Sequence, residues 1–359
     1  MNLKTVYTYV GLSVSFYLVS CSQDDAETSL PYDAGIVVIN EGAYGKGNGS
    51  LSFLGRETNS IVYDIFKKEN AVSLGDVVQS YQETNGQGYA VVNNSNKVEV
   101  VNARTFKSVR TVTKDLVQPR YSVVANGKLF VTCWDNYNPD YTFKKGWVSV
   151  VDITTFQTDK TISLGKGPEG MIVVGNELFI ANSEENFISV IDTQTYALTM
   201  ITVPNNPVQF VKDTNGKLWI LCKGKFGEKS QLVRLNTTTK QLELTLTVGT
   251  HPSKKAGNLA IDSFGKTLFF TYNFYDAADG YKYKGEVYSF SINDTSIQTD
   301  KPLVNKAFYG LGIDPQTNAI YGALVPSFTQ SGYVYRYRIS GQLIDSLKAE
   351  IGPNGFFFK

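Results

Sequence analysis

The apolar positions along this chain fall into short runs punctuated by Gly, Asn, Asp and Pro. Runs of this length are too short for helices and read as strands. The clearest stretch opens with Gly167-Pro168-Glu169-Gly170 and MIVV and turns at Gly175-Asn176. It continues as ELFIAN (177–182), FISVIDT (187–193) and ALTMITV (197–203). This predicts four consecutive strands joined by tight turns. The second run recurs as IVVIN at 36, YAVVN at 89, LFVTC at 129, LFIAN at 178, LWILC at 218, LFFTY at 268 and IYGAL at 320. Seven copies spaced 40–53 residues apart match the length of a four-stranded blade. They predict an all-β, seven-bladed propeller over residues 35–359. No long segment carries helical periodicity, which excludes helical solenoids.

The two ends of the repeat predict how the ring closes. The first copy starts at IVVIN without a preceding inner strand, and the last residues, Gly352-Pro353-Asn354-Gly355-Phe356-Phe357-Phe358, echo Gly167-Pro168-Glu169-Gly170-Met171. The C-terminal strand is therefore expected to pair into the first blade, leaving no open edge at the seam.

Charge narrows the function classes. The chain has 34 Lys+Arg against 33 Asp+Glu, so a nucleic-acid binder built on a basic face is not expected. It has a single His, His251, which disfavours His-rich metal centres and most His-based acid–base machinery. No nucleophile–base set emerges, so the chain reads as a non-enzyme without a cofactor. Gly45-Lys46-Gly47-Asn48-Gly49 lacks a following helix and makes a poor phosphate cradle. Glu184-Glu185 and Asp276…Asp279 read as solvated loop acids, with calcium as the functional alternative. Cys133 and Cys222 sit at matching places in two repeats, too far apart to bridge, and read as small core residues.

Residues 1–20 have Lys4 followed by an uncharged apolar stretch, the order of a secretory leader. Leu18-Val19-Ser20-Cys21 resembles a bacterial lipoprotein cleavage box, which implies lipidation of Cys21 and a membrane anchor. Ser22-Gln23-Asp24-Asp25-Ala26-Glu27 is similar to the acidic signal that sends Bacteroides-type lipoproteins to the outer face of the outer membrane. The expected organisation is a leader over 1–20, a lipidated tether over 21–34 and the propeller over 35–359.

Chemistry is expected at one end of the disc, where the loops between second and third strands meet the linkers into the inner strands. These loops are aromatic: EGAYGKGNG (41–49), WDNYNPDYTFKKG (134–146), KGKFGEKS (223–230), YNFYDAADGYKYKG (272–285) and LVPSFTQSG (324–332). They supply Tyr44, Trp134, Tyr137, Phe226, Phe274, Tyr275 and Phe328 as candidate ligand contacts. Alignment to Pro168-Glu169-Gly170 places Gln79, Arg120, Glu169, Gln209, Asn258, Tyr309 and Asn354 around the axis. Aromatic walls over amide donors and acceptors suit a broad, neutral, amide-rich ligand. For any one aromatic, packing between blades is an equal alternative, and central polar residues can simply hold water.

LFIANSEENFISVIDTQT resembles the YncE and surface-layer type of propeller repeat, and no Trp-Asp or Gly-His blade signature is present. IVVINEGAYGKGNGSLSFL (36–54) resembles the opening shared by Bacteroidetes surface propellers, among them the BtuG-type lipoproteins. Asn40, Glu41, Gly42, Gly47, Asn48, Ser50, Leu51 and Ser52 carry that match and are expected to be structural. The resemblance implies a lipoprotein on the outer membrane that captures cobalamin or another corrinoid, as ligand and not as cofactor. It also implies hand-over to a BtuB-type TonB-dependent transporter. A glycan- or peptide-binding surface protein is the alternative from the same loops. A propeller lyase or quinone-dependent dehydrogenase would need a His, a metal cluster or an Arg-rich cofactor clamp, and a single His argues against it.

Overall fold

In a computed structural model, residues 30–56, 59–251 and 253–359 are described; the leader, Cys21 and the acidic run lie outside them. Seven antiparallel sheets follow one another around a ring. Their inner strands are Val78–Thr84, Pro119–Ala125, Pro168–Val174, Pro207–Lys212, Lys255–Ile261, Gly310–Ile313 and Pro353–Phe358, each packed against the next. Six sheets have four strands and the sixth blade has three. The fold is the expected seven-bladed propeller.

The repeated run owes its strong signal to its place. The second strands, such as Gly35–Asn40, Lys128–Cys133 and Leu218–Cys222, lie mid-sheet and are covered on both faces by neighbouring blades, so nearly every residue in them is buried. Burial on both faces demands a continuous apolar run in place of alternation. The outermost strands, such as Leu198–Thr202, are largely exposed and correspondingly mixed in composition. Cys133 and Cys222 are free and buried in these second strands, and burial pushes the Cys133 thiol up to about 12.

Closure occurs as expected. Pro353–Phe358 pairs antiparallel with Gly35–Asn40, with Ile36 opposite Phe358 and Val38 opposite Phe356. The family-like opening motif reinforces this seam. Ser50 and Ser52 donate to Glu350 Oε2 at 2.6 and 2.7 Å, and Asn40 Nδ2 donates to Ser52 at 3.0 Å. These buried hydroxyls and amide bind blade one to blade seven, which is a structural role.

At the end opposite the aromatic loops, Asn102, Asp152, Asp192 and Asn236 accept backbone N–H groups two and three residues on. The residue four positions on, Phe106, Phe156, Tyr196 or Lys240, is left-handed in each case. Such Asx turns hold the strand ends in a fixed shape. The first described residues reach this same end. Tyr32 is buried edge-on to Phe53 and Phe106, and Asp33 makes a bidentate pair with Arg104.

Candidate functional site

The mouth is built by a repeated backbone clasp. The first residue after a second strand donates its N–H to the linker entering the same blade: Glu41 to Gly352, Asn93 to Val77, Trp134 to Gln118, Ser183 to Gly167 and Lys223 to Asn206. Five side chains are thereby set at the same height around the opening. Next to the clasp most inner strands carry a bulge, which turns an extra residue toward the axis. The bulges fall at Gln79, at Arg120 and Tyr121, at Glu169 and Gly170, at Val208, at Asn258 and at Asn354.

Three of the candidate axial residues meet directly. Arg120 Nη1 donates to Gln79 at 2.6 Å, and Nη2 lies 3.0 Å from Glu169. The guanidinium stacks on Trp134, whose Nε1–H donates to the Pro168 carbonyl at 3.0 Å. Burial works against the Arg120 charge, but the Glu169 carboxylate, with smaller help from Tyr121 and Glu41, holds the guanidinium pKa above its usual value. Beside them, burial pushes the Tyr121 hydroxyl up to about 12, with the Glu169 charge adding to the rise. Arg120 and Glu169 thus occupy each other at the mouth instead of standing free toward a ligand.

A second polar contact crosses the opening. Tyr309 donates its hydroxyl to Glu41 Oε2 at 2.9 Å, linking blades seven and one. Burial keeps both groups in their protonated direction, and the Glu41 charge adds to the effect on Tyr309. Lys223 reaches the same concavity. Its side chain is exposed yet crowded by the walls, so desolvation lowers its ammonium pKa. Asn258 Nδ2 donates to the Tyr309 carbonyl at 3.0 Å, and Asn354 Nδ2 to the carbonyls of Val78 and Gln79.

Gln209 does not join this ring. Its amide takes both backbone groups of Leu259, at 2.9 and 3.0 Å, and stitches the inner strands of blades five and six. Val208 holds the bulge instead, one residue earlier. Proline offers the alignment signal, because Pro119, Pro168, Pro207 and Pro353 each immediately precede a bulge.

The aromatic candidates separate into groups. Phe274, Tyr275, Tyr309 and Phe328 come together around a cavity of about 850 Å³ between blades six and seven. Tyr309 and Phe328 meet edge-on at 5.6 Å, and Tyr275 lies 5.0 Å from Tyr283. The cavity falls within the usual range for small-molecule sites, about 300–1,000 Å³. Trp134 and Tyr137 form a second group, both edge-on to Phe143 at 5.0 and 4.9 Å. Tyr44 and Phe226 stand in solvent, 77% and 103% exposed.

Sequence reasoning missed the lysines of this cavity. Lys254, Lys282, Lys284 and Lys306 line it together with Glu286. The alternation Tyr281-Lys282-Tyr283-Lys284 was the available signal. Asp276 and Asp279, considered above for calcium, instead pair with Lys284 and Lys282. His251 Nδ1 accepts the Ser253 N–H in a turn. Among the described residues no group of three or more His, Cys, Asp and Glu is placed to hold a metal ion. Nor is any helix there long and apolar enough to cross a membrane.

Residues 34–358 match the family described as Domain of unknown function (DUF5074). The chain belongs to this family. No curated protein matches the sequence of this DUF5074 propeller. Its fold is similar to a putative 6-phosphogluconolactonase from Bacteroides fragilis, with TM-score 0.67 and 13% identity over 92% of this chain and 99% of that one. It is also similar to a quinonprotein alcohol dehydrogenase-like protein from Bacteroides thetaiotaomicron, with TM-score 0.64 and 14% identity over 91% and 78%. Hydrazine synthase from Kuenenia stuttgartiensis aligns with TM-score 0.57 and 18% identity over 75% and 85%. At these identities the likeness concerns the propeller itself.

Proposed function

We propose that this DUF5074 propeller is a capture protein for cobalamin or a related corrinoid, displayed on the outer membrane through lipid on Cys21. In this reading it passes the ligand to a TonB-dependent transporter and catalyses nothing. The observation that carries the reading is the aromatic cavity of Phe274, Tyr275, Tyr309 and Phe328, with the Arg120–Glu169–Gln79 cluster on the inner strands of other blades. Aromatic faces hold a flat macrocycle by stacking, while amides and hydroxyls at the opening meet its peripheral amides. The loop carrying Phe274 and Tyr275 is a paired extension of its sheet, with Phe274 opposite Lys284 and Tyr275 opposite Tyr283, so little ordering accompanies binding and the affinity lost to it is small.

Calorimetric titration of the chain expressed from Ser22 with cyanocobalamin tests this. One-to-one saturation is the expected result; no heat and no saturation at micromolar concentration refute the reading. The second reading is an elongated glycan or peptide, favoured by Tyr44 and Phe226, which carry aromatic surface beyond the cavity. Under it, cyanocobalamin gives no saturation, and Tyr44→Ala and Phe226→Ala weaken capture of the oligomeric ligand.

A further inference from the structure

Four lysines line the cavity between blades six and seven, and they are not equivalent. Lys254 lies 3.0 Å from Glu286. Lys282 lies 2.8 Å from Asp279, and Lys284 lies 2.8 and 2.9 Å from Asp279 and Asp276. Each of these charges is balanced by a carboxylate. Lys306 is different: it is half-buried, its Nζ sits 4.6 Å from the centre of the Tyr335 ring, and it pairs with no carboxylate among the described residues.

Among the described residues this ammonium has a ring face and no carboxylate beside it, so its charge is left uncompensated in the cavity wall. The same cavity wall carries the rings of Tyr309 and Phe328, which offer stacking surface but no charge. We infer that Lys306 is the anchor for a single anionic group on a ring-bearing ligand, with Tyr309 and Phe328 holding the adjoining ring. The chemistry is that of a phosphodiester or carboxylate close to a flat ring system. This rests on the corrinoid reading above, in which the anion is the phosphodiester that joins the nucleotide to the corrin side chain. It changes that reading in one respect: the ligand is recognised by a local charge as well as by its amides.

The test compares cyanocobalamin with cobinamide, which keeps the corrin and its amides but lacks the nucleotide and its phosphodiester. Binding to the wild-type chain and to Lys306→Gln is measured by calorimetry, with melting temperature as the check on folding. Gln is one atom shorter than Lys, keeps a hydrogen-bond donor and removes the charge. A charge-assisted hydrogen bond of ordinary strength corresponds to about a tenfold change in affinity. The expected result is that Lys306→Gln weakens cyanocobalamin about tenfold and cobinamide less than about twofold. Raising salt should narrow the difference between the two ligands in the wild type and leave it unchanged in the variant. If both ligands bind and Lys306→Gln alters neither, or both equally, the anion anchor is overturned while the corrinoid reading stands. If neither ligand binds the wild type, the corrinoid reading falls and this inference with it.

Discussion

The guanidinium carbon of Arg120 lies 4.1 Å from the centre of the Trp134 ring, while its nitrogens hold Gln79 and Glu169. One cation therefore joins the inner strands of blades two, three and four and braces a mouth aromatic. Arg suits this position because its planar, permanently charged fork stacks and hydrogen-bonds at once.

Removing one partner of that cluster strands the other. Glu169→Ala is expected to lower stability by about 2–3 kcal/mol, less than a fully buried pair would because the site is partly accessible. The double variant Arg120→Ala, Glu169→Ala should lose less than the two single losses combined. Urea denaturation of all four proteins measures the coupling, and strict additivity would show the pair to be independent.

Tyr275 and Trp134 separate binding from packing. Tyr275 is 67% exposed, so Tyr275→Ala should weaken ligand capture and leave the melting temperature almost unchanged. Trp134 is half-buried, donates to Pro168 and carries the Arg120 contact, so Trp134→Ala should also cost about 1–2 kcal/mol of stability. Paired thermal scans and ligand titrations distinguish the two outcomes.

Acid should loosen the end opposite the mouth at Asp33. The Arg104 hydrogen bond, against a smaller opposing effect of burial, holds its carboxyl down at about 2, below the unfolded value of about 3.9. A depressed carboxyl contributes stability that is present above about pH 4 and lost as pH falls toward 2. Exchange of the Leu30 amide, which donates to Asp33, should accelerate across that window. In Asp33→Asn the acceleration across that window should be absent.

The ring should depend on its last strand. Ending the chain at Gly352 removes every partner of Gly35–Asn40 on the inner side and uncovers Ile36 and Val38. Such an edge is open to pairing with other chains. The truncated protein should lose cooperative melting or aggregate, and near-ultraviolet circular dichroism with light scattering checks this. A truncated chain that melts like the full one would mean the seam is dispensable.

Burial raises both remaining thiols, Cys133 to about 12. At pH 8 the native chain should show no thiol labelling at Cys133 or Cys222, and both should label in denaturant. Rapid native labelling of either would place that strand outside the core.

The blades, their number and the closing strand were legible in the sequence alone. Strand pairing within a blade is local, and a run buried on both faces must be apolar throughout, so seven such runs announce seven sheets. The opening motif was readable as structural for the same reason, although its attachment point, Glu350, lies three hundred residues away in blade seven. The mouth was only partly legible. Gln209 aligned with the axial positions, yet the bulge falls at Val208, and a shift of one residue exchanges a side chain between mouth and inter-blade seam. Arg120 and Glu169 were visible as residues but not as partners, nor were Tyr309 and Glu41. Hydrophobic periodicity reports which face of a strand is covered. It carries no information about which polar side chains meet, because those distances arise only when seven blades close around a common axis.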